Sequence, residues 1–295
     1  MFEFGNEERR ILRLMSLGNR FIFKSNEYII TTSGKPTCRL GEPKTDFYVK
    51  AETYSGESIE LKVTHKMEAA DFLENKVNAC RAEHLLGSNW QSIIIESNMR
   101  IIERFKSRPL IYKRNHGRTE EGSITLGWKY ELLNKISGEL SGELVLDKEQ
   151  VIDVYAGTNL SIEKRNAQVN GQTIIDSGVA NYILIKDNLC STQSIIDNLI
   201  LVSEYVDRNP KIYFACKALN YRIMKKKWDG DRPLAVFVEW SINNGRLTSE
   251  LNLSHPLTIK GHEVAANLID HLNHLGIRSA DDIVESNIDS NVKIF

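Results

Sequence analysis

Three residues have the types and spacing for hydrolysis at phosphorus: Asp46, then Glu60 and Lys62 across a turn. Glu60 and Lys62 are two apart, so on a strand they share one face while Ile59, Leu61 and Val63 take the other. Two charges opposite an apolar face belong in a cleft or in water. Residues 46–51 read as a strand, Ser55-Gly56 as a hairpin turn and residues 58–64 as the returning strand, which can bring Asp46 beside Glu60. Two carboxylates with the backbone carbonyl of Leu61 make an all-oxygen site suited to Mg²⁺. Such an ion lowers the pKa of a bound water and stabilises charge building on a phosphate. Lys62 then positions that water or neutralises the charge at phosphorus.

These residues need a scaffold, and the first 96 residues spell one out. Residues 7–17 read as an amphipathic helix with acids in the first turn and Gly18 at its end. Residues 20–32 are rich in β-formers, with a turn near Ser25-Asn26; after strands 46–51 and 58–64, residues 68–86 read as a helix closed by Gly87. Residues 90–95 read as a short buried strand. Farther on, 126–136 and 148–155 read as helices, 180–185 as a strand, 192–205 as a helix and 212–218 as a strand. Residues 234–242 and 247–253 form a hairpin around Asn243-Asn244-Gly245, and 262–275 and 280–285 are helices. The expected fold is mixed α/β, of the α+β kind: a mixed central sheet in a helix–strand–strand–strand–helix–strand core, then a mixed second half. The turn-rich run through Asn115-His116-Gly117 and Glu120-Glu121-Gly122 suggests a boundary, giving residues 1–120 as the core and 121–295 as a second region.

Composition narrows the class. The 295 residues carry a net charge of −1 with 41% hydrophobic and 26% charged residues, which excludes a disordered or fibrous chain. No apolar run has the length of a membrane span, and MFEFGNEERR carries acids where a signal peptide has a basic region. Four scattered cysteines without a CxxC suit reduced thiols in a cytoplasm and exclude a closely spaced thiolate zinc site. The neutral total hides two basic segments. Residues 100–118 hold seven Lys/Arg against Glu103 alone, and residues 208–232 hold eight against Asp229 and Asp231. Such concentrated charge can hold a polyanion, and a solvated face is the plainer reading of either segment alone.

Pro43, Asp46, Glu60 and Lys62, in the form Pro-Lys-Thr-Asp, thirteen residues, Glu-Leu-Lys, resemble the signature of the PD-(D/E)XK nucleases. The element order over residues 6–96 resembles that superfamily's core. The resemblance implies that Asp46 and Glu60 bind the metal and that Lys62 assists the attacking water. It also implies that an acid of the first helix, Glu7 or Glu8, completes the site. Asp46 follows Pro43 by three residues rather than one, a departure at the variable proline of the pattern. Among family members the chain is most like a type II restriction endonuclease, which implies double-stranded DNA as partner and a homodimer for cutting a palindrome. Lys44, Arg104, Arg108, Lys113, Arg114, Arg118, Lys225, Lys226, Lys227 and Arg232 are then the candidate DNA contacts. The alternatives are a repair or junction nuclease of the same superfamily and a non-catalytic DNA-binding or interaction protein, in which Glu60 and Lys62 form an ordinary cross-strand face with Lys50 and Glu52.

Other chemistry has less support. His271 and His274, beside Asp270 and nine residues beyond His262, read better as a polar helix surface than as a metal site. Trp228 among Lys225–Lys227 and Arg232 reads equally as a DNA-facing aromatic and as a turn residue. No P-loop, dinucleotide-binding or nucleophile-elbow motif is present.

Overall fold

The computed structural model describes residues 4–295 apart from residues 40 and 69. The fold is α+β. The chain opens with α1 (Phe4–Leu14), β1 (Arg20–Phe23), β2 (Asn26–Gly34), β3 (Phe47–Glu52) and β4 (Ser58–His65). It continues with β5 (Phe72–Glu74), α2 (Ala79–Leu86), α3 (Trp90–Met99), α4 (Ile102–Lys106), β6 (Ile111–Tyr112), β7 (Ser123–Leu133) and β8 (Ser141–Glu143). Then come α5 (Lys148–Ala156), α6 (Ile162–Arg165), β9 (Gln168–Val169), β10 (Gln172–Thr173), β11 (Tyr182–Leu184), α7 (Thr192–Asp197), β12 (Ile200–Leu201) and α8 (Val202–Arg208). The last elements are β13 (Tyr213–Arg222), β14 (Lys227–Trp228), β15 (Val236–Asn243), β16 (Arg246–Asn252) and α9 (Gly261–His274). Among the described residues no helix is long and apolar enough to cross a membrane.

Contacts divide the chain into two units, each assembled from several segments. The first holds residues 1–71, 84–87 and 146–211; the second holds 72–83, 88–145 and 212–295. The boundary expected near residue 120 therefore falls inside the second unit rather than between units.

The first unit is built on a six-stranded sheet in the order β1-β2-β3-β4-β11-β12. Residues 20–32, expected to be β structure with a turn near Ser25-Asn26, form the β1–β2 hairpin, turned at Lys24 and Ser25 with φ of 47° and 68°. β2, β3 and β4 continue as an antiparallel meander, and β11 then adds in parallel to β4, pairing Tyr182 with Val63 and Leu184 with His65. A parallel neighbour requires a crossover, and α5 lies within it. The core unites Ile11 of α1 and Met15 just after it with Val49, Ala51, Leu61 and Val63 of the meander and with Ile195 of α7.

The crossover helix α5 also carries a pH-sensitive group. Asp147 caps α5 in a capping box with Gln150. Burial, with Asp147 and Glu149 nearby, pushes the Asp153 carboxyl up to about 6, against about 3.9 for an ordinary aspartate. Because the folded value lies above the unfolded one, the stabilising contribution is complete below about pH 4 and is lost as pH rises through 6. Asp153→Asn is therefore expected to stabilise the protein at pH 7.5 by about 1 kcal/mol, allowing for solvent screening of a half-buried group. Denaturant titrations at pH 7.5 and pH 4 check this: the gain should vanish at the lower pH.

The second unit is an eight-stranded sheet along β14-β13-β7-β15-β16, with β5 and β6 pairing β7 and β8 pairing β13. α9 packs on β15. At Gly127 (φ 151°) a Cβ would stand 2.4 Å from the Val236 carbonyl oxygen, so β15 can approach β7 there only against glycine.

Five sequence expectations are corrected. Residues 68–86 hold β5 and only the short helix α2, and residues 90–95 belong to the helix α3, whose buried Trp90, Ile94, Ser97 and Asn98 follow helical spacing. Residues 126–133 of the expected helix are instead the body of β7, because Leu126, Trp128, Tyr130 and Leu132 alternate with period two, and the chain leaves the strand after Leu133. Residues 192–205 break at Asn198 into α7, β12 and α8, and residues 280–285 form turns rather than a helix.

Candidate active site

The β3–β4 hairpin sorts its side chains by alternation. Phe47, Val49 and Ala51, with Leu61 and Val63, enter the core, so Tyr48, Lys50, Glu60, Lys62 and Thr64 take the opposite face. The register pairs Tyr48 with Lys62 and Lys50 with Glu60. Just before β3, the Asp46 N–H donates to the Val63 carbonyl at 2.8 Å. Its carboxylate accepts the His65 backbone N–H at 2.7 Å and the Thr64 hydroxyl at 3.4 Å. Burial pushes the Asp46 carboxyl above its ordinary range, opposed by the positive charge of Lys66 and the His65 N–H, while Glu8 adds to the rise.

Glu60 is exposed and lies elsewhere on that face. Its Oε1 accepts the Tyr48 hydroxyl at 2.8 Å. Burial, with the Glu60 hydrogen bond, pushes the Tyr48 phenol up. Four residues separate Glu60 from Thr64, about 13 Å along β4. The register therefore sets Asp46 and Glu60 apart rather than side by side, contrary to the expected shared ion. Lys62 is closer, on the diagonal from Asp46, about 7–8 Å in an antiparallel pair. Leu61 is buried opposite Val49. Asn181, at the entry to β11, brackets the motif. Its side chain accepts the Lys62 N–H at 2.8 Å and donates to the Glu60 carbonyl at 2.9 Å, and its own N–H donates to the Lys62 carbonyl at 2.8 Å.

The first turn of α1 reaches the Asp46 end of the hairpin. Glu8 pairs with Lys35 at 2.6 Å. Glu7 pairs with Arg10 at 2.5 Å, which holds its carboxyl below the usual range. Beside them is His65, which the sequence reading passed over. Its ring is buried at 3% exposure, and among the described residues neither ring nitrogen has a hydrogen-bond partner. Burial pushes its pKa down, opposed by Asp46, Asp187 and Glu7. Asp187, just past β11, accepts the Glu68 N–H at 3.2 Å through Oδ2, while its buried Oδ1 has no hydrogen-bond partner among the described residues. A signal for His65 existed: it extends the buried row Leu61, Val63 by one step.

The ten expected DNA contacts divide between the units. Lys44 is buried at 6% exposure, its stem against Gly157, so it does not face solvent. The other nine belong to the second unit, and several are tied to it. Arg104 donates to the Glu139 and Ser141 carbonyls, Arg108 pairs with Glu139 at 2.5 Å, and Lys113 donates to the Ile283 carbonyl at 2.7 Å. Arg114 lies 4.7 Å over the Phe295 ring, and Lys225 pairs with Glu120 at 2.5 Å. Arg118, Lys226, Lys227 and Arg232 are exposed. His262 is bound to Asp231, so it does not join His271 and His274 as a ligand.

Among the described residues no three His, Cys, Asp or Glu side chains gather as a metal cage. Mg²⁺ rarely uses one: it keeps several waters and takes one or two carboxylates plus substrate phosphate oxygens. The Asp46 carboxylate, with unpartnered polar atoms of His65 and Asp187 nearby, fits that manner of binding; the Asp46–Glu60 pair does not. No family model, no curated protein and no solved structure matches the chain.

Proposed function

We propose that the chain is a metal-dependent endonuclease that hydrolyses phosphodiester bonds of double-stranded DNA, a restriction-type enzyme of the PD-(D/E)XK kind acting in the cytoplasm. One observation carries the reading: β11 pairs in parallel with β4 after α5. In the first unit α1, the four strands β1–β4, the helices α5 and α6 and then β11 follow one another, one strand and one helix more than the helix, three strands, helix, strand order that the resemblance implies, and through different segments than expected. Support also comes from the clustering of Asp46, Glu7, Glu8, His65 and Asp187 near the carboxyl ends of β4 and β11. Ligand crevices of α/β sheets open at such ends.

Asp46 is the residue that would hold a divalent ion. When bound, the ion supplies charge neutralisation and a water of lowered pKa. The chain's own groups prepare the rest. The His65 N–H and the Thr64 hydroxyl fix the Asp46 carboxylate, Lys62 and Lys66 set positive charge where a phosphate would enter, and Asn181 fixes the backbone that carries Lys62. One feature favours a second reading, DNA binding without cleavage: the hairpin register keeps Glu60 away from Asp46. Incubating plasmid DNA with the protein in Mg²⁺ and in EDTA decides between them. Discrete fragments in Mg²⁺ alone are expected; binding without cleavage in Mg²⁺ or Mn²⁺ leaves the second reading standing.

A further inference from the structure

The second unit contains a cavity of about 280 Å³ whose walls combine aromatic faces and cations, including Arg108, Tyr112, His116, Trp128, Glu139 and Lys217. Two of these residues belong to a group of rings: Tyr112 stacks on His116 at 6.2 Å, and His116 lies 4.1 Å from Phe295, over which Arg114 sits. Trp128 is buried and held edge-on by Phe105 at 5.1 Å, so that wall is rigid.

The electrostatics of the cavity are lopsided. β7 and β13 place Lys129 and Lys217 directly opposite each other, an unfavourable rung unless each ammonium finds an anion. Lys129 has one, Glu131, at 2.6 Å. Lys217 reaches only the Ser137 carbonyl, at 3.4 Å, and no carboxylate pairs with it among the described residues. Arg108 is already neutralised by Glu139. The cavity thus holds one half-buried cation short of an anion, beside stacking rings and the polar side chains of Thr119 and Thr125.

A phosphate suits Lys217, and a flat heteroaromatic suits Tyr112 and His116. Ligand pockets run roughly 300–1,000 Å³, so at about 280 Å³ this one lies just below that range: it suits a single unpaired nucleotide, not a paired duplex. We propose that the cavity receives a single unpaired nucleotide of a DNA strand, with its base on the Tyr112–His116 rings and its phosphate at Lys217. The polymer's identity rests on the DNA reading above; the preference for an unpaired position does not depend on cleavage. Taking a base out of the stack is least costly where it is already unpaired, so recognition would favour a bulge or a single strand.

The test is binding of the full chain in Ca²⁺ to fluorescent duplexes that are either fully paired or carry one bulged nucleotide. At least ten-fold tighter binding to the bulged duplex is expected, with 2-aminopurine at the bulge changing its emission as it stacks. Tyr112→Ala should remove about ten-fold of that preference and Tyr112→Phe should keep it, since base–aromatic stacking carries about that much. Lys217→Gln leaves the rings in place and should lower the salt slope by about one. Equal affinity for both duplexes, or a preference unchanged in both Tyr112→Ala and Lys217→Gln, overturns the proposal. If the protein never cleaves DNA yet prefers the bulge, the nuclease reading fails while this one stands.

Discussion

Replacing Asp46 with Ala is expected to reduce DNA cleavage at least about 10³-fold, the scale of losing a group that acts on transition-state charge. Binding to DNA in Ca²⁺ should persist or strengthen, because an anion facing the phosphates is gone. Glu60→Gln should cost far less, since Glu60 lies about four residues of strand from the Asp46 rung and is engaged by the Tyr48 hydroxyl. Equal loss in the two variants would show that the hairpin rearranges around a bound ion. The same carboxylate should also weaken the fold. Its folded pKa is raised by burial, so its stabilising contribution belongs to acid and is lost as pH rises past the ordinary carboxylate range. Asp46→Asn, which keeps an acceptor for the His65 N–H, is therefore expected to raise Tm by about 2 °C at neutral pH in EDTA while abolishing cleavage, the usual trade of stability against activity. A lower Tm would contradict the inferred cost of the buried charge.

The second large effect is expected at Gly178. A Cβ there would stand 1.9 Å from the Lys164 carbonyl oxygen and 2.9 Å from the Pro43 ring. The first of these neighbours is backbone, so relief requires the chain itself to move. The Gly178 carbonyl also accepts the N–H groups of Lys44 and Thr45 at 3.0 and 3.3 Å, and the Gly178 N–H donates to the Arg165 carbonyl at 2.8 Å. Gly178 thus clamps the segment that delivers Asp46 to the head of β3. Gly178→Ala should destabilise the protein by about 3 kcal/mol, read as a lower denaturation midpoint. Any fraction that still folds should cleave poorly, because the approach to Asp46 has shifted. Gly171→Ala is the matched control: nothing lies within 4 Å of its added Cβ, although its φ of 82° adds local strain.

The helix–hairpin–meander portion was legible because its signals are local. Turn residues lie at Gly18, Ser25 and Gly56, although α1 already ends at Leu14, and polar and apolar residues alternate from Ser58 to Val63 in β4. What failed was the identity of the crossover. Residues 68–95 follow the motif immediately and have helix-like and strand-like stretches, so nearness in sequence made them the natural continuation. The actual partners of β4, residues 182–184, were read as a strand, but nothing in their composition says which strand they join. At the site, residue types picked out Asp46, Glu60 and Lys62, whereas the pairing of Asp46 with the Thr64–His65 end depends on where the turn centres, at Thr53–Glu57. A shift of two residues in that turn would have aligned Asp46 with Lys62, and composition does not specify it. The basic segments show the same limit: most of their cations carry out local tasks for carbonyls, acids and one ring, which charge counting does not see.

The parallel pairing of β4 with β11 also dictates an order of events during synthesis. More than a hundred residues lie between Val63 and Tyr182. As the ribosome extends the chain, β4 emerges with one edge paired to β3 and the other bare, and much of the second unit's sequence must appear before the strand that covers it. Closing so long a loop is slow, although its thermodynamic cost grows only logarithmically with length. In that interval the bare edge carries Leu61 and Val63 in a β-rich run, a template for pairing with another nascent chain. Yield should therefore depend on temperature and on chaperone supply, with cooler expression favouring intramolecular capture of β11 over aggregation.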